Sequence, residues 1–364
     1  MKFRCERDVL VEALGTAARA VSTRGGSLPV LSGVRAELTG NRLQLTGSDL
    51  ELTISVGTEV AGEEDGVAVV NARLATEIAR SLSQGAVTVT SDADEAHIEA
   101  ERAQFTLRVL PADEFPRLAE PAAEAVTLAA TDLAVALKQV VPAASSDDAR
   151  PILTGVLLAA EAGGLRLVAT DSYRLAVRDL PGASVLGEDQ HPLVPSKALA
   201  ELGRALGGAD EVVLRLGDRD ASFEVGDVRI TTRLIEGEFP NYRGLIPSSY
   251  PNRLMVGREP LLEAIRRVKL MAREATPVRL VMKPDGLELV AITQDVGQAH
   301  EDVDAKYEGA ELTVAFNPEY LLTGVEITPG DEVVIETLDA LKPAVIRATE
   351  GSEFLYLLMP VRVS

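Results

Sequence analysis

Leu167-Val168-Ala169-Thr170-Asp171-Ser172-Tyr173-Arg174-Leu175-Ala176-Val177 reads as an apolar strand that runs into a polar turn and leaves as a second alternating strand. The pattern stands earlier as Leu43-Gln44-Leu45-Thr46-Gly47-Ser48-Asp49-Leu50-Glu51-Leu52, and later as Leu287-Glu288-Leu289-Val290-Ala291-Ile292-Thr293-Gln294-Asp295. Other landmarks keep the same step. Pro29-Val30-Leu31-Ser32-Gly33-Val34 returns as Pro151-Ile152-Leu153-Thr154-Gly155-Val156, and more faintly from Pro277. Leu110-Pro111-Ala112-Asp113-Glu114-Phe115-Pro116 returns as Leu234-Ile235-Glu236-Gly237-Glu238-Phe239-Pro240. Val70-Asn71-Ala72-Arg73-Leu74 has counterparts at Val194 and Phe316. Landmarks sharing one step of about 122 to 127 residues mean three copies of one domain.

Within a copy the periodicity alternates. Val9, Leu10, Ala13, Leu14, Ala17 and Val21 recur at helical spacing over 6–21, and Leu74, Ile78 and Leu82 put one apolar face on a helix from about Asn71. Period-two runs such as Leu50-Glu51-Leu52-Thr53-Ile54-Ser55-Val56 predict strands between and after them. Each copy thus reads as helix, strands, helix, strands, an α+β domain of two similar halves. The corresponding helices are expected over Asp132 to Ala144, Ser196 to Leu206, Glu259 to Ala272 and Pro318 to Gly324. The expected domains are 1–120, 125–246 and 252–364, joined by Pro-containing stretches near 117–125 and 247–252.

The 364 residues are 46% hydrophobic and 25% charged, as in globular proteins, and no apolar run reaches membrane-spanning length. Met1-Lys2-Phe3-Arg4-Cys5-Glu6 is unlike a signal peptide, so a cytoplasmic location is expected. The lone Cys5 reads as a small core residue, and His97, His191 and His300 lack metal-ligand spacing. No cofactor or metal is expected. A net charge of −20 argues against nucleic acid until it is sorted by element. Most of the acid lies on strands and loops, whereas the predicted helices carry Arg19, Arg73, Arg80, Lys138, Lys197, Arg204, Arg266, Arg267, Lys269 and Arg273. Charge alone is equally satisfied by ordinary solvated helix faces.

Asp49, Asp171 and Asp295 are carboxylates in corresponding places, but an aspartate at a strand-to-strand corner commonly fixes the turn by bonding its own backbone. No nucleophile elbow, phosphate loop, dinucleotide fingerprint or paired-histidine metal motif is present, so the chain does not read as an enzyme.

Met1-Lys2-Phe3 with Glu6-Arg7, Leu28-Pro29-Val30-Leu31, Thr46-Gly47-Ser48-Asp49-Leu50-Glu51, Ala169-Thr170-Asp171-Ser172-Tyr173-Arg174-Leu175-Ala176, Phe239-Pro240-Asn241-Tyr242 and Met359-Pro360-Val361-Arg362 follow in order along the whole chain. Together they resemble the bacterial DNA polymerase III beta subunit family, the sliding clamps. The resemblance implies a head-to-tail homodimer closed into a ring, with helices lining the hole and sheets outside. It further implies sequence-independent hold on double-stranded DNA, and tethering of the replicative polymerase and clamp-loader subunits through short peptides with a glutamine followed by leucine and phenylalanine. No catalysis and no membrane partner are implied.

Carried over by motif, the family's partner-peptide pocket would be walled by Leu153, Thr170, Ser172, Tyr173, Arg174, Leu175, Pro240, Leu245, Asn317, Tyr320, Leu357, Met359, Pro360, Val361 and Arg362. Leu175, Leu357 and Met359 read equally well as ordinary core. The DNA lining would include Arg24, Arg73, Arg150, Lys197 and Arg204, and the dimer joint Phe105 and Leu107 against Leu270 and Met271. The chain departs from the commoner family pattern at Ser172-Tyr173, Gly244, Ala275 and the terminal Val363-Ser364.

Overall fold

Helix α1 (Arg7–Ala17) carries Asp8 in its first turn, where an acid favours the helix dipole, and buries Leu10, Ala13, Leu14 and Ala17. Helix α2 (Ala72–Ser81) starts at Asn71, whose side chain accepts the Leu74 N–H at 3.0 Å. Its buried face is Ala72, Ala75, Thr76, Ile78 and Ala79; Leu74 is exposed, contrary to the spacing, because the packed face is centred on the three alanines and the helical turn carries Leu74 to the opposite side. Helices α3 (Ala130–Val140), α4 (Ser196–Ala205), α5 (Arg258–Val268) and α6 (Pro318–Ile327) fall where the repeat expects them. This computed structural model describes residues 1–364 apart from 23–27, 117–120, 162, 188–189, 273–275, 295, 352 and 363–364. The expectations for Arg24, Arg273, Ala275, Asp295 and Val363-Ser364 therefore lie outside the described residues.

The chain divides into two compact units, one of Met1–Thr131 with Lys197–Leu234 and the other of Asp132–Ser196 with Ile235–Ser364. Each unit draws on the middle sequence copy, which gives its first strand, Val126–Ala129, and its last strands to one and the strands between them to the other. In the first unit the strands form a 13-stranded sheet in which Leu52–Glu59 pairs antiparallel with Val228–Arg233. The second has a 9-stranded sheet, in which Arg174–Pro181 pairs antiparallel with Phe354–Leu358, and a 4-stranded one. Both joins are edge-to-edge pairings of strands far apart in the chain, and they satisfy main-chain groups that an open edge would leave bare.

Alternation assigns the two faces. At the first join Ile54 opposite Ile230 is buried, while Thr53 opposite Thr231 and Ser55 opposite Arg229 take the other face. At the second, Ala176 opposite Tyr356 is buried on one face, and Leu175 opposite Leu357 is buried on the other. The sequence-predicted strand at Leu50 starts instead at Leu52, since Leu50 belongs to the Asp49 turn with a φ of 80°. Cys5 lies half-buried on the strand Lys2–Glu6, and burial pushes its thiol up to about 11. Among the described residues no helix is long and apolar enough to cross a membrane.

Helix α6 approaches the sheet through Gly324, where an added Cβ would lie 2.4 Å from the ring of the fully buried Tyr356. Helix propensity favours alanine over glycine by about 1 kcal/mol, whereas overpacking costs about 1–3 kcal/mol. Packing should win: Gly324→Ala is expected to lower stability by about 1 kcal/mol in urea unfolding. A gain would mean that propensity governs this helix.

Candidate functional site

Several residues of the predicted pocket meet at the Asp171 corner. Asp171 Oδ1 accepts the N–H groups of Tyr173 at 2.9 Å and Arg174 at 3.0 Å, and its other oxygen holds the Arg174 guanidinium at 3.0 Å. Asp49 accepts the N–H groups of Glu51 and Leu52 in the same way, so both described aspartates of the repeat are turn-formers. Thr170 Oγ1 closes the corner by donating to the Arg174 carbonyl at 2.6 Å. The turn places Ser172 at a φ of 81°, a left-handed conformation, and leaves Tyr173 57% exposed.

Strand pairing brings distant residues to this corner. Leu175 faces Leu357, and the Met359 N–H donates to the Tyr173 carbonyl at 2.9 Å. The Tyr173 ring lies 6.4 Å from that of Tyr320, and the Arg174 guanidinium sits 4.3 Å over the Tyr320 ring. Such aromatic and cation–π contacts contribute about 0.5–1.5 kcal/mol each. Asn317 caps α6 by accepting the N–H groups of Glu319 and Tyr320, which orients the helix that presents Tyr320. The Tyr356 hydroxyl donates to the Tyr320 carbonyl at 3.0 Å, and burial pushes it above its ordinary range, so it remains a donor.

Beneath lies an apolar cluster of Val168, Leu175, Val177, Tyr242, Val345 and Leu357, with Phe239 and Met359 packed against it. Leu175 is only 1% exposed and Leu357 is equally enclosed, so these two form the floor, while Met359 is partly accessible. Pro240, Leu245, Val361 and Arg362 are exposed, and Pro360 is half-buried. Val361 is tied down by its N–H bond to the Ala315 carbonyl. Leu153 is buried in the short turn Pro151–Thr154, and its link to the corner is indirect, through Arg150 donating to Ser172 Oγ at 3.3 Å. Tyr242 and Phe239 belong to the cluster, and the quoted Phe239-Pro240-Asn241-Tyr242 motif was their signal. Val345 had none.

The predicted DNA-facing residues are not bare. Arg73 is bonded to Glu77 at 2.9 Å, Lys197 to Asp49 at 2.6 Å, Arg204 to Glu201, and Arg150 to Asp147 at 3.0 Å. In the first unit Arg19, Arg80 and Arg204 converge with Glu201 around a hollow of about 380 Å³ beside α1 and α4. Arg19 and Arg80 were legible as helix cations, but their convergence was not.

Of the predicted joint residues, Leu270 is 80% exposed at the end of α5, and Met271 is half-buried. Exposed Ile292 and Val296 stand on either side of Thr293, whose hydroxyl donates to the Met271 carbonyl, so the apolar surface here exceeds what the sequence singled out. On the strand Ala103–Leu110, Phe105 is half-buried and Leu107 is buried within its own unit. Among the described residues no group of three histidines, cysteines or acids is placed to hold a metal.

Residues 1–119, 127–241 and 243–362 match the N-terminal, central and C-terminal domains of the DNA polymerase III beta subunit family. The chain is 36% identical to the beta sliding clamp of Streptomyces coelicolor, over the full length of both. Its structure is similar to that of the Bacillus subtilis sliding clamp, with a TM-score of 0.91 at 30% identity and all of both chains covered. It is also similar to the Bartonella birtlesii clamp, solved bound to griselimycin, with a TM-score of 0.93 at 31% identity and complete coverage of both.

The left-handed Ser172 gives a direct test of strain at the corner. A side chain in that conformation costs about 1–2 kcal/mol relative to glycine, partly offset by about 0.5–1 kcal/mol of extra unfolded-state freedom. Ser172→Gly should therefore stabilise the protein by about 0.5 kcal/mol in thermal unfolding, despite loss of the long Arg150 bond.

Proposed function

The chain belongs to the DNA polymerase III beta subunit family, and from that membership we propose that it is a DNA sliding clamp. It encircles duplex DNA and tethers the replicative polymerase and other partners for processive synthesis, without catalysing a reaction. Its working form is a homodimer of the three domains 1–120, 125–246 and 252–364, joined head to tail, so that two identical contacts complete a closed ring in the cytoplasm. The observation that carries this reading is the Asp171 corner, where residues 170–175 and 357–361 meet in an apolar surface with an accessible aromatic rim.

Leu270, with Ile292 and Val296 near it, supports the dimer joint, since a contiguous exposed apolar patch favours a protein partner. Across the joint, Phe105 is the more accessible of the two opposing candidates, and Leu107 backs it from within the sheet. The hold on DNA uses Arg73, Lys197 and Arg204, with Arg24 and Arg150 as further candidates. The described cations are themselves exposed and already paired with acids; the acids facing Arg73 and Arg150 are exposed too, and such pairs contribute about 0–1 kcal/mol. At these exposed pairs a phosphate can replace a carboxylate at little cost and be replaced in turn, so contact is fleeting and carries no sequence information.

Retention on DNA tests the topology. Protein loaded on nicked circular DNA should co-elute with it in gel filtration and be released when the circle is cut. Changing Leu270 to Asp and Met271 to Lys should yield monomers in sedimentation and abolish retention, because charge would be left unpaired in the joint. An undiminished dimer would refute the assigned contact, and retention on cut DNA would refute encirclement.

The pocket takes the partner peptide on Tyr173, Tyr320, Met359, Pro360 and Val361, over the Leu175 and Leu357 floor, with Leu153, Pro240, Leu245 and Arg362 as the remaining wall. Burying two or three large apolar side chains of a Gln-Leu-x-Leu-Phe segment yields roughly 5–8 kcal/mol before ordering costs, which is micromolar binding at most. Met359→Ala should remove about 2 kcal/mol of it in calorimetric titration and leave the dimer intact. Leu175→Ala, by contrast, should lower folding stability, since Leu175 is core. Full-strength binding to the Met359 variant would place the peptide elsewhere.

A further inference from the structure

The repeat builds the pocket's sheet face twice, and the second version is polar. In the second unit the cross-strand row Leu157, Val168, Val177, Leu355 runs beside Leu175 and Leu357. In the first unit the same registers give Arg35, Thr46, Ser55, Arg229 beside Thr53 and Thr231. Phe115-Pro116 holds the place of Phe239-Pro240. The six apolar positions are thus all hydroxyl or guanidinium positions in the counterpart. Nor has the hollow closed: a groove of about 440 Å³ lies over these residues.

We propose that this groove is a second docking site, for an extended polar peptide that carries an acidic side chain. Its donors exceed its acceptors. Three guanidiniums and three carboxylates line it: Arg35 pairs with Glu37 at 2.6 Å, Arg42 with Asp227 and Arg229 with Glu224, and the about five N–H donors of a guanidinium outnumber the about four lone-pair sites of a carboxylate. Arg35 lines the groove with only 8% of its surface exposed, and its buried Nε–H has no hydrogen-bond partner. A buried donor left without an acceptor is costly, and a carboxylate entering beside Arg35, with its several lone pairs, would supply one. Arg42 reaches Asp227 across Gly57, where a Cβ would collide with the guanidinium, so a bare stretch of backbone keeps the charges at the surface of the sheet. The hydroxyls of Thr46 and Ser55, 2.8 Å apart, line the row between Arg35 and Arg229. The occupant is taken to be a peptide because the equivalent face is the partner-peptide pocket proposed above, and in that respect the inference rests on that reading.

The intact protein, titrated with the N-acetylated, C-amidated peptide Ser-Asp-Ser-Asp-Ser, is followed through its arginine Nε–H signals in ¹H–¹⁵N spectra. Arg35 should shift saturably, and the same peptide with asparagine in place of aspartate should bind at least tenfold more weakly. Ser55→Val with Thr231→Leu, which copies the apolar counterpart, should also weaken binding at least tenfold; should that variant not fold, Arg42→Gln carries the same expectation. No Arg35 shift, equal binding of the asparagine peptide, or full reproduction of the shift by succinate at the same concentration would overturn the proposal. A parallel titration with Gln-Leu-x-Leu-Phe, read at the Met359 methyl group, reports on the apolar pocket alone. Its failure counts against that pocket, and failure of the acidic peptide at Arg35 counts against the groove.

Discussion

Two edge-to-edge strand pairings carry this structure: Leu52–Glu59 against Val228–Arg233, and Arg174–Pro181 against Phe354–Leu358. An edge strand presents unpaired N–H and C=O groups, which is a liability unless another strand covers it. Here the cover comes from a neighbouring copy of the repeat, so each compact unit contains parts of two copies. Continuous hydrogen bonding across the copies makes the joins part of the sheets themselves. Both surfaces assigned to docking lie on such joins, where residues remote in sequence are held in fixed register.

Backbone and side chains divide the labour at these joins. The backbone repeats the same hollow, and the side chains choose its chemistry. Leu175 and Leu357 make an apolar floor where Thr53 and Thr231 make a polar one. Even the flanking ion pair is retained with its signs exchanged: Arg215 with Glu224 in one unit, Glu336 with Arg347 in the other. The registers put Arg215 opposite Ser222 and Glu336 opposite Val345, so the swap occupies equivalent places. The aspartate corner shows the same economy. Asp171 holds Arg174 beside an aromatic pair, whereas Asp49, forming the same turn, holds Lys197 on a helix.

Electrostatics follows from this placement rather than from the net charge. The cations expected to meet DNA are exposed and already paired with acids, so water and salt reach the cation of each pair and screen the attraction. A lining of bare arginines on an acidic body would hold a phosphate backbone firmly. Paired ones exchange partners, which suits a protein that must stay on DNA and still move along it.

Local periodicity, by itself, determined a good deal. The three aspartates and their companion landmarks specified three α+β copies, six helices near their observed positions, and turn-forming roles for Asp49 and Asp171, because each depends on residues within a few positions of one another. The quoted motifs also identified most of the corner, including Tyr173, Arg174 and Met359. Only the tertiary structure decided which strand covers which edge, since partners such as Leu175 and Leu357 are separated by more of the chain than any local period can report. For the same reason it alone decided that Leu175 is floor and Tyr173 rim, that Leu74 faces out, that Arg73 and Lys197 are already paired, and that Arg35 and Arg229 face one polar groove. Burial and ion pairing are properties of what lies opposite a side chain, and what lies opposite is set by strand register across the copies.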